Sequence, residues 1–344
     1  MPRVIIRIMS NLPDLGSVES SRVIVAHELM DQVPSLISII REFYRARNFQ
    51  VVLLNACPKR LFIYCFFRYI YPNCKWILVS LDQNLLIPNS PKDRIIALIK
   101  RFLLKKVDLF ILYLRDVSGY ERYYGVTARR TAYIPFKVNV WDMVGDPREV
   151  SSDGDYVLVA GRSLRDLKTF IKAMSRLKFP AVLLHQGEKI MGEHNTIIQF
   201  DQLPMNVTAA YHDGKRESWY DFIRKARIVV IPTLPTITAA GVSVYLDAMA
   251  LKKCVILNDN PASRGILTGQ AIIVPPQDPQ RLAEAIRMAW TDDDRREQIA
   301  TKGWEYAQTL QGEKRLMKDI IECCASFHDK EIGNLEIETG HRGE

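Results

Sequence analysis

The sequence has few of the features that would send a chain into or across a membrane. No apolar run approaches the roughly 20 residues of a spanning helix. The nearest, Leu61–Tyr71, is 11 residues long and contains Arg68. The start, MPRVIIRIMSN, has neither a long apolar core nor a small-residue cleavage site, so no secretory signal is expected in it. Six cysteines (57, 65, 74, 254, 323 and 324) form no Cys-x-x-Cys pair and are expected to be reduced, mostly buried thiols of a cytoplasmic protein. Histidine is scarce, with His27 alone in the first half. No clustered His/Asp set has metal-ligand spacing, so no metal and no cofactor are expected. No strand runs into the Gly-x-Gly-x-x-Gly spacing of a dinucleotide site, which withdraws support from nicotinamide or flavin chemistry. With 48% apolar and 25% charged residues, fibrous and wholly disordered chains are excluded as well.

What is present suits two domains, since 344 residues exceed one ordinary domain. Charge is divided unevenly. The net +8 arises entirely in residues 1–150, which hold 22 Lys+Arg against 13 Asp+Glu. Such a half faces an anionic partner (a membrane, a nucleic acid or a phosphorylated substrate) or is simply a basic surface. Short β-branched runs alternate with helical patterns throughout. Strands are expected at Val4–Ile8, Gln50–Leu54, Trp76–Leu81, Leu109–Tyr113 and Thr131–Ile134, then at Tyr156–Ala160, Ala181–His185, Thr196–Gln199, Ile228–Ile231, Cys254–Leu257 and Ala271–Val274. This rhythm predicts an α/β chain of two doubly wound, Rossmann-like domains facing a central cleft. The expected bounds are 1–140, a polar linker 141–154, a second domain 155–327 and a frayed polar tail 328–344.

Two turns of the second half carry chemistry. In YVLVAGRSLRDLKTF a strand runs into Gly161-Arg162-Ser163, and a helix is expected near Arg165. A glycine admits close backbone approach, a helix N-terminus attracts anions, and Arg162 and Arg165 offer forks for phosphate oxygens. An ordinary tight turn with surface arginines is the other reading. In IVVIPTLPTITAAGVSVYLDAMALKKCVILND a strand ends in a proline-containing loop, and Gly241-Val242-Ser243 opens a helix. Consecutive N–H groups there make a second anion site. Asp247 follows Ser243 by one helical turn, where it either accepts ribose hydroxyls or is a solvated helix charge.

The segment AAGVSVYLDAMALKKCVIL resembles the carboxyl-terminal signature of the retaining family-four-type glycosyltransferases (glycosyl transferases group 1) of GT-B fold. The runs VAGRSLRDLKTFIKAM, WYDFIRKARIVVIP, IIVPPQDPQRLAEAI and VDLFILYLRDVSGYERYYGVTARRTAYIPFKVN are similar to further blocks of that family, in the same order over about residues 107–310. The resemblance implies transfer of a sugar, with retention, from a nucleotide diphosphate sugar. Arg162 and Arg165 would hold the donor diphosphate, with Gly161, Ser163 and Lys168 as secondary candidates. Gly241, Val242 and Ser243 would donate N–H groups to it, and Asp247 would bind the ribose. The sequence departs from the family at Ala239, where a donor-sugar carboxylate is usual, and in lacking the Gly-rich turn after the first strand. Residues 1–50 are therefore expected to depart from the usual sheet. Ala239 favours a second reading, a catalytically inactive GT-B homologue serving as a nucleotide-binding or scaffold subunit. A GT-B sugar-nucleotide epimerase would need cleft carboxylates and histidines that the sequence does not provide. No catalytic base can be assigned.

The basic half adds KDRIIALIKRFLLKKVDLF, which sets Ile95, Leu98, Ile99 and Phe102 beside Lys100, Arg101, Lys105 and Lys106, and an aromatic run holding Arg60 and Arg68. Basic amphipathic segments with aromatics favour anionic membranes. The alternative is that these helices pack on their own sheet with their charges in solvent. The first reading predicts a peripheral protein on the inner face of the plasma membrane with a sugar, glycolipid or lipid-linked acceptor of polysaccharide biosynthesis. No nucleic-acid module is present.

Overall fold

The computed structural model describes residues 4–18, 20, 22–144 and 151–340. The chain divides into two compact units. Residues 1–113, 117–134 and 314–344 belong to the first and 114–116 and 135–313 to the second. By this division the second unit starts at Pro135, and the last helix belongs largely to the first.

In the first unit β1 (Val4–Ser10), β2 (Val23–Leu29), β3 (Val51–Asn55), β4 (Ile77–Leu81), β5 (Leu109–Leu112) and β6 (Thr131–Tyr133) form a parallel sheet in the order β2-β1-β3-β4-β5-β6. Val51–Leu54, Ile77–Leu81 and Leu109–Leu112 are buried throughout, as strands covered on both faces require. The sheet carries α1 (Leu36–Arg45), α2 (Pro58–Ile70), α3 (Pro91–Leu104) and α4 (Ser118–Tyr124). Ser90 and Asp93 close a reciprocal capping box at the start of α3. Strand β2 has no counterpart among the expected strands. It is an edge strand whose Ile24 and Leu29 are exposed and whose run is broken by His27 and Glu28, so its apolar signal is weak. It pairs with all seven residues of β1 after a short 3-10 turn at Pro13–Ser17.

In the second unit β7 (Tyr156–Val159), β8 (Ala181–His185), β9 (Val207–Tyr211), β10 (Ala226–Ile231), β11 (Cys254–Asn258) and β12 (Ile272–Val274) are parallel, in the order β12-β11-β10-β7-β8-β9. Their helices are α5 (Leu167–Met174), α6 (Glu188–Glu193), α7 (Arg216–Arg224), α8 (Val242–Ala250), α9 (Pro279–Thr291) and α10 (Asp293–Leu310). The final helix, α11 (Glu313–Gly340), continues through most of the expected frayed tail; residues 341–344 lie outside the described residues, as do 145–150 of the expected linker. Alternate strand residues face opposite ways. Leu158, Val229 and Ile231 join the core under α8, while Val157, Val159, Ile228 and Val230 join the core under α5 and α9. Helix α8 is buried nearly all round, as its apolar sequence dictates.

One expected strand is absent here, and one helix start is shifted slightly. Thr196–Gln199 is not a strand: Thr196 accepts the Arg165 N–H at 2.9 Å and donates to Arg162 O at 2.6 Å, so this stretch braces a turn instead. Helix α5 starts at Leu167 rather than Arg165, because the Asp166 carboxylate caps it by accepting the Thr169 N–H at 3.1 Å.

Candidate functional site

The chain runs β7-β8-β9 in one direction and then returns to place β10 on the other side of β7. The crevice outside the carboxyl ends of β7 and β10 is therefore the topological switch point, where doubly wound sheets bind ligands. Both turns singled out in the sequence leave from it. They are tied together: Leu234 N–H donates to Leu164 O at 2.8 Å, and Asp166 N–H to Pro232 O at 2.9 Å.

Within the first turn the two arginines have opposite fates. Arg162 is exposed, at the tip of the turn. Arg165 is only 3% exposed. Its Nε donates to Ala160 O at 2.8 Å and one terminal nitrogen to Ser163 O at 2.7 Å, while burial lowers its pKa to about 10. In this structure Arg165 is a strut that shapes the turn around Arg162. Gly161, at φ +96°, is required because a methyl group there would run into that guanidinium. Ser163 sits beside His194, its hydroxyl 3.4 Å from Nδ1. Lys168 is exposed on the first turn of α5.

At the second turn Gly241, at φ +97°, is the N-cap of α8, and a Cβ there would lie 2.9 Å from Ile231 Cγ2. The Val242 N–H already donates to Ala239 O at 3.2 Å, so Val242 is not a free donor. Ser243 is the half-buried residue of this otherwise buried helix start, at its positive dipole end.

Asp247 does not present its carboxylate to open space. It is 1% exposed. Oδ1 accepts the N–H groups of Asn139 at 2.7 Å and Val140 at 3.3 Å; Oδ2 accepts Asn139 Nδ2 at 3.2 Å and Trp219 Nε1 at 2.9 Å. Burial raises its pKa and these four donors oppose the rise. In this structure the carboxylate fastens the Asn139–Val140 segment onto α7 and α8.

One feature escapes the motif reading. His185-Gln186-Gly187 and His212-Asp213-Gly214 leave β8 and β9 with the same geometry. In each, the histidine Nδ1 accepts the glycine N–H, at 3.1 and 3.2 Å, and the glycine has positive φ. The repeated His-x-Gly after a strand was the available signal. Nδ1 as acceptor leaves the proton on Nε2, and His212 Nε2 is buried without a hydrogen-bond partner among the described residues. The His212 ring lies edge-on to Trp219, which in turn binds Asp247.

The basic half is also divided by the structure. Arg68 is not on an outer face: it binds Asp108 and Lys106 O, each at 2.6 Å. Arg60 is fully buried against Glu42. Lys100 lies over Phe62 and Lys106 over Tyr69, while Lys105 is exposed and Arg101 donates to Arg122 O at 3.4 Å. Helix α3 turns its apolar side outward: Ile95, Leu98, Ile99 and Phe102 are 54–63% exposed, and only Ala97 and Leu104 are buried. Among the described residues no helix is long and apolar enough to cross a membrane, and no group of three or more His, Cys, Asp or Glu could hold a metal ion.

Residues 154–292 match the family model of glycosyl transferases group 1. Among solved structures the chain is similar to HepE of Anabaena in complex with UDP-glucose, with a TM-score of 0.69 over 93% of this chain and 100% of that chain at 14% identity. It is similar to a glycosyltransferase from Rickettsia africae (TM-score 0.64, 95% and 99% covered, 12% identity). It is also similar to sucrose-phosphate synthase from Thermosynechococcus elongatus (TM-score 0.62, 95% and 90% covered, 15% identity). No curated protein sequence matches it. The fold is that of the GT-B glycosyltransferases, and the match to the group 1 family model lies within the second unit.

Proposed function

We propose that the protein transfers a hexose from a nucleotide diphosphate sugar to an acceptor hydroxyl, with retention, in the manner of the family-four enzymes. The observation that carries this reading is the family match over 154–292, which spans both switch-point turns. HepE, of the same fold, binds UDP and UDP-glucose, which supports a donor of that class. As the sugar–phosphate bond breaks, negative charge gathers on the leaving diphosphate. Arg162, at the tip of its turn, and the start of α8 at Ser243 would stabilise it electrostatically, a task that needs no metal. Arg165 and Gly161 shape the turn that carries Arg162.

The acceptor in this reading is a glycolipid or other lipid-linked sugar of polysaccharide assembly, reached from the cytoplasmic face of a membrane. The outward apolar side of α3 with Lys100, Arg101, Lys105 and Lys106 supports it, because an apolar stripe flanked by cations suits an anionic bilayer surface. Ala239, in place of the usual carboxylate, favours a second reading, a nucleotide-binding subunit without turnover. The test is thermal stabilisation of the purified protein by UDP, GDP, dTDP and ADP sugars, followed by assay of nucleotide release. A ligand far above its dissociation constant stabilises by a few kcal/mol, roughly 3 at a hundredfold excess. Stabilisation by one nucleotide class that Arg162→Ala abolishes, with release of the diphosphate, is the expected result. Stabilisation without release supports the second reading, and no stabilisation by any donor overturns both.

A further inference from the structure

The turn that carries Arg162 is held from outside by a segment that belongs to no motif. Helix α6 is only six residues long, and the chain leaves it at His194 to come back against that turn. Asn195 makes the reversal with a left-handed backbone (φ +58°), which asparagine tolerates. The segment is itself anchored. The His194 and Thr196 N–H groups both donate to Met191 O, at 3.1 and 2.9 Å, and the Asn195 N–H donates to Gly192 O at 2.9 Å.

Thr196 then spans the turn from one arginine to the other. It is 1% exposed, and its single hydroxyl is used twice. The proton goes to Arg162 O at 2.6 Å, and the oxygen accepts the Arg165 N–H at 2.9 Å. Between them the Leu164 N–H donates to His194 O at 2.9 Å. Leu164 has a left-handed backbone (φ +56°), which a bulky residue adopts only where its surroundings impose it. The shape of the turn is thus set by a partner more than 30 residues away along the chain, and not by its local sequence alone.

We propose that Thr196 is a positioning residue for the donor diphosphate: it fixes the Arg162 peptide, and so the direction in which the Arg162 guanidinium leaves the turn, without touching the donor. The inference rests on the reading that Arg162 holds the diphosphate. An exposed arginine already has many rotamers; a free peptide beneath it would add backbone freedom that binding must then remove. Charged groups displaced by about 1 Å lose much of their hold on a ligand, up to about 100-fold in effect.

The test uses the full chain with Thr196→Val, which keeps the shape and removes the hydroxyl, and Thr196→Ser, which keeps the hydroxyl. Valine also leaves the buried Arg165 N–H without an acceptor, so its melting temperature should fall and the readout is affinity, not stability. Thr196→Ala, smaller than the native residue, carries the same test if valine does not fit. UDP-glucose, GDP-mannose, dTDP-glucose and ADP-glucose are titrated by calorimetry. For whichever of these the parent protein binds, we expect Thr196→Val to weaken affinity at least about 10-fold and Thr196→Ser to restore most of it. The two changes are then repeated in Arg162→Lys. A lysine presents a point charge on a flexible stem and depends little on the peptide beneath it. Thr196→Val should therefore cost less than about 2-fold in that background, a non-additivity that a merely structural role would not produce. Parent affinity in Thr196→Val overturns the proposal, and so does an equal loss in the Arg162→Lys background; both leave the donor reading standing. A parent protein that binds none of the four nucleotide sugars overturns the donor reading, and the proposal falls with it.

Discussion

The Arg165 guanidinium lies directly over Gly161, in the space a Cβ would occupy. The glycine and the arginine thus depend on each other, and only together do they aim Arg162 outward. Gly161→Ala faces both a steric clash and an unfavourable backbone at φ +96°. It should destabilise the protein by about 2 kcal/mol or more. Chemical denaturation measures this, and donor stabilisation should vanish along with it.

The two arginines should separate binding from folding. Arg162→Ala is expected to leave the melting temperature unchanged and to abolish stabilisation by nucleotide sugars. Arg165→Ala leaves Ala160 O and Ser163 O without donors in a buried turn, and should cost about 2–4 kcal/mol of stability. Equal losses of stability in the two variants would contradict the division of roles.

Asp247→Ala removes the acceptor of four hydrogen bonds inside the second unit. A loss of about 3 kcal/mol or more is expected by denaturant titration. Asp247→Asn, which keeps one carbonyl oxygen, should lose less. If Asp247 instead served only a bound ribose, either change would leave the ligand-free protein as stable as before.

The outward face of α3 predicts vesicle binding. Co-sedimentation with vesicles rich in phosphatidylglycerol should fall steeply for Ile99→Asp with Phe102→Asp, and with rising salt for the parent protein. Both changed residues are more than half exposed, and the main loss is the stacking of Phe102 on Tyr69, so the melting temperature should fall only slightly. Binding that survives the double change would point away from this face.

Much of this molecule is legible along the chain. Strands such as Val51–Asn55, Ile77–Leu81 and Cys254–Asn258 are aliphatic runs buried on both faces, so composition alone marks them. The two glycine turns are legible too, because a positive φ beside a strand end leaves few residues to choose from. The sequence could not assign roles to side chains whose partners are far away along the chain. Arg162 and Arg165 are alike on paper; tertiary structure buries one under its own turn and leaves the other exposed. Asp247 meets Asn139 and Trp219, 108 and 28 residues away, and those contacts make it a strut. Local pattern fixes where the backbone turns; burial and pairing, which are properties of the assembled sheets, fix what each charge does there.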